Sequence, residues 1–145
     1  MPTRTARTAW NGSLQEGSGQ VELSSSKVGT FDVSWPKRAA DEAGGTTSPE
    51  ELIAAAHSSC FSMALSGEIG KAGGTVQSLE VTAAVTLGQR DGAPTITTIK
   101  LTVRGEVDGL DAAGFEQAAQ AAKVGCPVSK ALTGVGEITL DAALL

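Results

Sequence analysis

The chain has 145 residues, a formal net charge of −5 and a 41% hydrophobic content. That length is one domain with room for a real core, and no apolar run reaches the length of a membrane span. The acidic balance, with a pI near 4.8, argues against nucleic acid or an anionic membrane as partner. Two cysteines are too few for a disulfide scaffold, and with a single histidine they cannot supply a four-ligand zinc site. Met1 to Asn11 lacks the apolar segment of a secretory signal. The expected compartment is therefore the reducing cytoplasm, where a cysteine pair more often serves catalysis or redox sensing than stapling.

Residues 1–47 read as a β meander followed by a loop. Val21-Glu22-Leu23 alternates, and Val28, Phe31, Val33 and Trp35 supply the apolar positions of a further strand region. Asn11-Gly12 and Gly17-Ser18-Gly19 are good turn sequences between them. Pro36 to Thr47 carries Lys37-Arg38, Asp41-Glu42 and Gly44-Gly45 without periodicity. It reads as a loop of the length at which functional loops begin to appear.

Residues 48–66 predict a helix. Ser48 can cap it, Pro49 suits the first helical position, and Glu50 and Glu51 favour the positive end of the helix dipole. Glu51 also stands where a capping box needs it. The body, from Leu52 to Leu65, is apolar nearly all round, with only His57, Ser58, Ser59 and Ser62 interrupting. Such a helix is expected to be buried.

Gly67 and Gly73-Gly74 are expected to close it. Across 76–107, Leu79, Val81, Ala83, Val85 and Leu87, then Ile99, Leu101, Val103 and Val107, alternate as a hairpin turning at Arg90-Asp91-Gly92. Residues 111–132 predict two helices. The first is capped by Asp111 and presents Phe115, Ala118, Ala119 and Ala122 on one face, with Gly125 as the expected left-handed terminator. Cys126-Pro127 then starts the second. Ile138, Leu140, Ala142 and Leu144 alternate in a closing strand across 136–145. The order predicts an α+β fold with antiparallel sheets.

The chemistry lies in the two thiols. Cys60 sits inside the central helix, and Cys126 sits at a helix start, where backbone amides favour thiolate over thiol. Free cysteine also serves as a small buried hydrophobe; the acidifying position of Cys126 and the serines around Cys60 count against that reading without removing it. His57, three residues before Cys60, shares its helical face. This permits a Cys–His hydrolase or acyl-transfer pair, although no acid stands nearby to orient the ring. A buried core histidine is the plainer reading.

Pro49-Glu50-Glu51-Leu52-Ile53, Ala55-Ala56-His57, Cys60-Phe61-Ser62-Met63-Ala64-Leu65 and Gly125-Cys126-Pro127-Val128-Ser129 resemble the OsmC/Ohr superfamily, and its OsmC branch most closely. Trp10-Asn11-Gly12 and Ile138-Thr139-Leu140-Asp141 extend the resemblance over essentially the whole chain. It implies an intertwined homodimer, with sheets wrapping central helices and two active sites at the subunit interface. The implied activity is cysteine-based reduction of organic hydroperoxides, with no bound metal or cofactor and an external dithiol reductant, of lipoyl type. Cys60 would be the peroxidatic thiol, Cys126 the resolving thiol, Arg38 the activating cation and Glu50 its carboxylate partner, with Lys37 the competing cation. The chain departs from the pattern in two places: Ser48 stands where asparagine is common, and Ala39 follows Arg38 where an aromatic is common.

Helix geometry adds one expectation. Glu50 and Cys60, ten positions apart, stand about 15 Å apart along a straight helix. Glu50 and Arg38 are therefore expected to serve Cys60 of a second subunit. A break in the helix that brought Glu50 back to its own Cys60 would remove that need.

Overall fold

The alternating stretches of the sequence become two separate three-stranded sheets. A computed structural model describes residues 1–145, which divide into two units, residues 1–52 and 53–145.

The first unit holds β1 (Arg7–Asn11), β2 (Ser18–Glu22) and β3 (Thr30–Val33) in an antiparallel meander. Gly12, at φ +94°, takes the left-handed conformation that opens the first turn. The stretch expected to be a loop instead begins with a short helix, α1 (Trp35–Ala39). Ser34 caps it, its hydroxyl accepting from the Lys37 N–H at 3.4 Å, and Pro36 fills the first turn, where no amide donor is required. Trp35 therefore belongs to a helix and not to the preceding strand.

Helix α2 (Pro49–Lys71) starts with the Ser48 hydroxyl accepting from the Glu51 N–H at 3.2 Å. It runs past the expected end at residue 66, through Gly67 and Gly70, and stops in a Schellman arrangement. The Gly74 N–H reaches the Ile69 carbonyl at 2.9 Å and the Gly73 N–H reaches the Gly70 carbonyl at 3.1 Å, with Gly73 at φ +87°. One mid-helix glycine costs about 1 kcal/mol, which packing of the last turn through Ile69 offsets.

The second unit continues with β4 (Thr75–Arg90), β5 (Ala93–Asp108), α3 (Ala112–Gly125), α4 (Pro127–Ala131) and β6 (Glu137–Leu144). β4 and β5 form the long antiparallel hairpin. The sheet is not antiparallel throughout, because β6 lies parallel to β5, pairing Ile99 with Ile138 and Leu101 with Leu140. Period-two alternation fixes which residues face the core but not strand direction. The passage through α3 and α4 supplies the crossover that a parallel pair requires.

The core of this unit gathers Phe61, Leu65 and Ile69 from α2, Leu101 and Val103 from β5, and Phe115, Ala119 and Ala122 from α3. Within this chain α2 is not buried all round. His57, Phe61, Leu65 and Ile69, four residues apart, form the buried stripe, while Ala55, Ala56, Ser59 and Met63 are exposed. Asp111 caps α3 as its sequence suggests, accepting from the Gly114 N–H at 2.8 Å. Gly125 is the last helical residue and not a left-handed terminator. The cap is Cys126, whose N–H reaches the Ala122 carbonyl at 2.8 Å and which also opens α4.

Gly105 lies under the Phe115 ring, where an added Cβ would fall 2.9 Å from both Phe115 and Leu79. Gly105→Ala is expected to overpack this core and to cost about 1–3 kcal/mol. Urea unfolding measures it; an unchanged midpoint would mean that the ring yields at no cost.

Candidate active site

The central element of the site is the meeting of two thiols. Cys60 lies on α2 half-buried, Cys126 is fully buried at the α3–α4 junction, and their sulfurs stand 3.0 Å apart with both cysteines free. Two rigid helical positions fix this contact. Neither side chain has to search for the other.

The two sulfurs titrate as a pair. Burial raises Cys60, its bond with Cys126 raises it further, and only the Val128 amide works the other way. Burial also opposes a Cys126 thiolate. The hydrogen bond from Cys60, the Ser129 amide and hydroxyl and the Val128 amide outweigh that and lower it. No cap hydrogen bond to the Cys126 side chain is formed in the structure. Cys126 is thus the more acidic partner in this chain. No cation is among the groups acting on Cys60.

In the first unit, Arg38 and Glu50 make a fork-like pair. Arg38 Nε donates to both carboxylate oxygens at 3.1 Å and a terminal nitrogen donates to Oε1 at 2.7 Å. The Arg38 guanidinium lies 5.7 Å from the centroid of the Trp35 ring, one helical turn earlier in α1. Lys37 does not share this carboxylate; its ammonium extends towards Gly44. Beside Arg38 opens an apolar hollow of about 340 Å³, lined by Trp10, Leu14, Val33, Trp35 and Leu52 among others. Trp35 is a site neighbour that sequence reasoning missed. The signal was Ser34 followed by Pro36, a cap and first-turn pair in a stretch taken for loop. It supplies an aromatic face where Ala39 cannot.

His57 is fully buried, and its ring does not bond Cys60. Nε2 lies 2.7 Å from Ser129 Oγ, and Nδ1 has no hydrogen-bond partner. Burial pushes the imidazole below its ordinary range, so it is neutral near pH 7. Ser129 was not singled out by sequence, since it meets His57 only through the fold. The three helix serines near Cys60 bond their own backbone: Ser58 and Ser59 reach the Ala55 carbonyl, and Ser62 reaches that of Ser58.

A half-buried thiol and a fully buried one in contact, on an α+β scaffold with a mixed sheet, define a two-cysteine thiol protein. Its residues 42–141 match the OsmC-like protein family, and the chain belongs to that family. It is 44% identical over 132 residues to the peroxiredoxin OsmC of Escherichia coli (strain K12), covering 91% of this chain and 90% of the relative. It is 32% identical over 122 residues to the organic hydroperoxide resistance protein OhrA of Bacillus subtilis (strain 168), covering 83% and 85%. The solved structure of the organic hydroperoxide resistance protein OhrB of Bacillus subtilis superposes with a TM-score of 0.72 at 27% identity, over 97% of this chain and 98% of that one. Arg38 precedes the matched family span, so its place beside Glu50 is a finding of geometry.

The buried neutral histidine has a consequence for stability. Its folded pKa lies below the unfolded value of about 6.5, so the unfolded chain takes up the proton first as pH falls. Above that value His57 adds no pH dependence; below it, stability drains until the folded pKa is reached. Between about pH 7.5 and pH 5.5 the wild type is expected to lose more stability than His57→Gln. Equal losses in urea unfolding at the two pH values would show that the ring accepts its charge in place.

Proposed function

We propose that this chain is a thiol-dependent peroxidase that reduces organic hydroperoxides to alcohols, working as a homodimer. The observation that carries the reading is the 3.0 Å contact between Cys60 and Cys126. The names borne by its relatives, peroxiredoxin and organic hydroperoxide resistance protein, support the same chemistry.

Cys60 thiolate attacks the distal peroxide oxygen. The O–O bond breaks, sulfur becomes a sulfenic acid, and the alkoxide leaves with a proton as alcohol. Cys126 then displaces the sulfenic hydroxyl, closing a Cys60–Cys126 disulfide and releasing water. An external dithiol protein, of lipoyl type, restores both thiols. No bound metal or cofactor takes part.

Cys60, raised by burial and by its neighbour, needs a cation to ionise ahead of Cys126. Arg38, permanently charged and held by Glu50, supplies one, and it can also steady the departing alkoxide. Because α2 is unbroken from Pro49 to Lys71, Glu50 stands about 15 Å along the axis from Cys60 of its own chain. The site is therefore assembled from Cys60 and Cys126 of one subunit with Arg38 and Glu50 of the partner subunit. The exposed face of α2 (Ala55, Ala56, Ser59 and Met63) suits such a pairing. Its residues are small or pliant, and Ser59 has already satisfied its hydroxyl within the helix. The apolar hollow beside Arg38 favours an alkyl chain over hydrogen peroxide. The hydrolase reading loses its base, since His57 turns to Ser129.

Intact mass after one equivalent of an alkyl hydroperoxide tests the thiol roles. Wild type should lose two hydrogens, and Cys126→Ser should gain one oxygen on Cys60; no change in either would end the proposal. A second experiment tests the shared site. Arg38→Ala and Cys60→Ser chains, each inactive alone, should regain activity when refolded together, because one site of each mixed dimer is then complete. If the mixture stays inactive, the arginine acts on its own chain.

A further inference from the structure

The two sulfurs that touch are not equally reachable. Cys126 is wholly enclosed by its own chain, whereas Cys60 keeps part of its surface. The helix explains the difference. On α2, His57 and Ala64 flank Cys60 on the side that turns into the core, and Ala56 and Met63 flank it on the exposed side, each about one turn away. Cys60 therefore stands on the border of the buried stripe.

Cys126 has no such border. Its N–H is tied to the Ala122 carbonyl at 2.8 Å, and its carbonyl accepts from the Lys130 N–H at 3.0 Å. The backbone is thus held by α3 on one side and by α4 on the other, and bringing the sulfur to the surface would break both bonds. Closing a disulfide does not require this, because the sulfurs stand 3.0 Å apart and a bond needs a shift of about 1 Å. A second subunit could cover Cys60 further, but it cannot uncover Cys126.

A disulfide is reduced when a thiolate attacks one of its two sulfurs. Which one is attacked depends on access and on how readily the other leaves. Here both point the same way. Only Cys60 offers a face to an incoming thiol, and Cys126 is the more acidic of the pair, hence the better leaving group.

We propose that the reductant of the oxidised pair enters on the Cys60 sulfur, so that Cys60 carries the mixed disulfide and Cys126 is released into the interior without meeting the reductant. The inference rests on the disulfide given above to Cys60 and Cys126. One thiolate of the dithiol attacks Cys60 Sγ, the Cys60–Cys126 bond breaks, and its electron pair leaves on Cys126 Sγ. The second thiolate then attacks the dithiol sulfur bound to Cys60, closing the reductant's own disulfide and freeing Cys60. The two protons that the dithiol gave up return to the two cysteines. Hydroperoxide and dithiol are served in turn by one sulfur.

The test uses the unaltered chain, oxidised with diamide so that no hydroperoxide is involved. The probe is mercaptoethanol, a monothiol with no second thiol to complete the cycle. Acid quench, alkylation with N-ethylmaleimide in denaturant and peptide mass analysis then locate both groups. Mercaptoethanol is expected on Cys60 and maleimide on Cys126, with the reverse pattern rarer by about tenfold or more, because reaching Cys126 first breaks two backbone hydrogen bonds. Comparable amounts on the two cysteines, or an excess on Cys126, would overturn the inference. Chains with one thiol give a second reading. Cys126→Ser, which keeps Cys60, should react with a nitrobenzoate disulfide reagent about tenfold or more faster than Cys60→Ser. Equal rates would show Cys126 to be reachable and would also overturn it. If an alkyl hydroperoxide in place of diamide leaves both thiols reduced, it is the peroxidase reading that fails, wherever the mixed disulfide forms.

Discussion

The contact between two sulfur atoms sets the terms for everything around it. Cys60 is fixed by α2, whose buried stripe of His57, Phe61, Leu65 and Ile69 is packed into the second unit. Cys126 is fixed because it ends one helix and begins the next, so neither helix can shift without moving it. Two thiols at 3.0 Å cannot both ionise. Whichever loses its proton first determines which reaction the pair performs. In this chain the amides and hydroxyl around α4 favour a thiolate on Cys126, while burial and Cys126 itself oppose one on Cys60.

Under the proposed chemistry, that bias gives the first unit its purpose. As the proposed peroxidatic thiol, Cys60 requires positive charge, and no cation is among the groups acting on it within the second unit. The Arg38–Glu50 fork, with Trp35 against the guanidinium, is a preformed cation whose geometry is set before any substrate arrives. Holding arginine by a planar two-oxygen partner costs little side-chain freedom at the moment of reaction. The exposed face of α2, with Ala55, Ala56 and Ser59, is where the proposed second subunit would pack.

Much of this was legible in local chemistry. Ser48 and Pro49, Asp111, and Cys126 with Pro127 each mark a helix start through a backbone requirement that the neighbouring residues reveal. Alternation marked β4, β5 and β6, but it carries no sign of direction, so the parallel pairing of β6 was hidden. Helix α1 was hidden for another reason: five residues are too few for a period to show, and only Ser34 with Pro36 gave it away. Gly67 read as a terminator because exposed glycine disfavours helix, while Ile69, two residues on, had packing to gain from continuing. The Arg38–Glu50 pair was reachable only through family resemblance, and the meeting of His57 with Ser129 through neither resemblance nor period. Contacts between residues far apart in sequence leave no local trace.

The orphaned Nδ1 of His57 bears on why that meeting exists. A buried polar atom without a partner costs about 1–3 kcal/mol, and an apolar side chain at this position would avoid the cost. The other polar groups of α2 near Cys60 show no such waste, for its serines bond their own helix. A histidine serving only to fill the core would be the poorest choice among its neighbours Phe61 and Leu65. What it offers that they cannot is a hydrogen bond to the Ser129 hydroxyl, which ties α2 to α4 inside the core. The hydrogen bond that the other nitrogen makes with a buried hydroxyl offsets part of that cost.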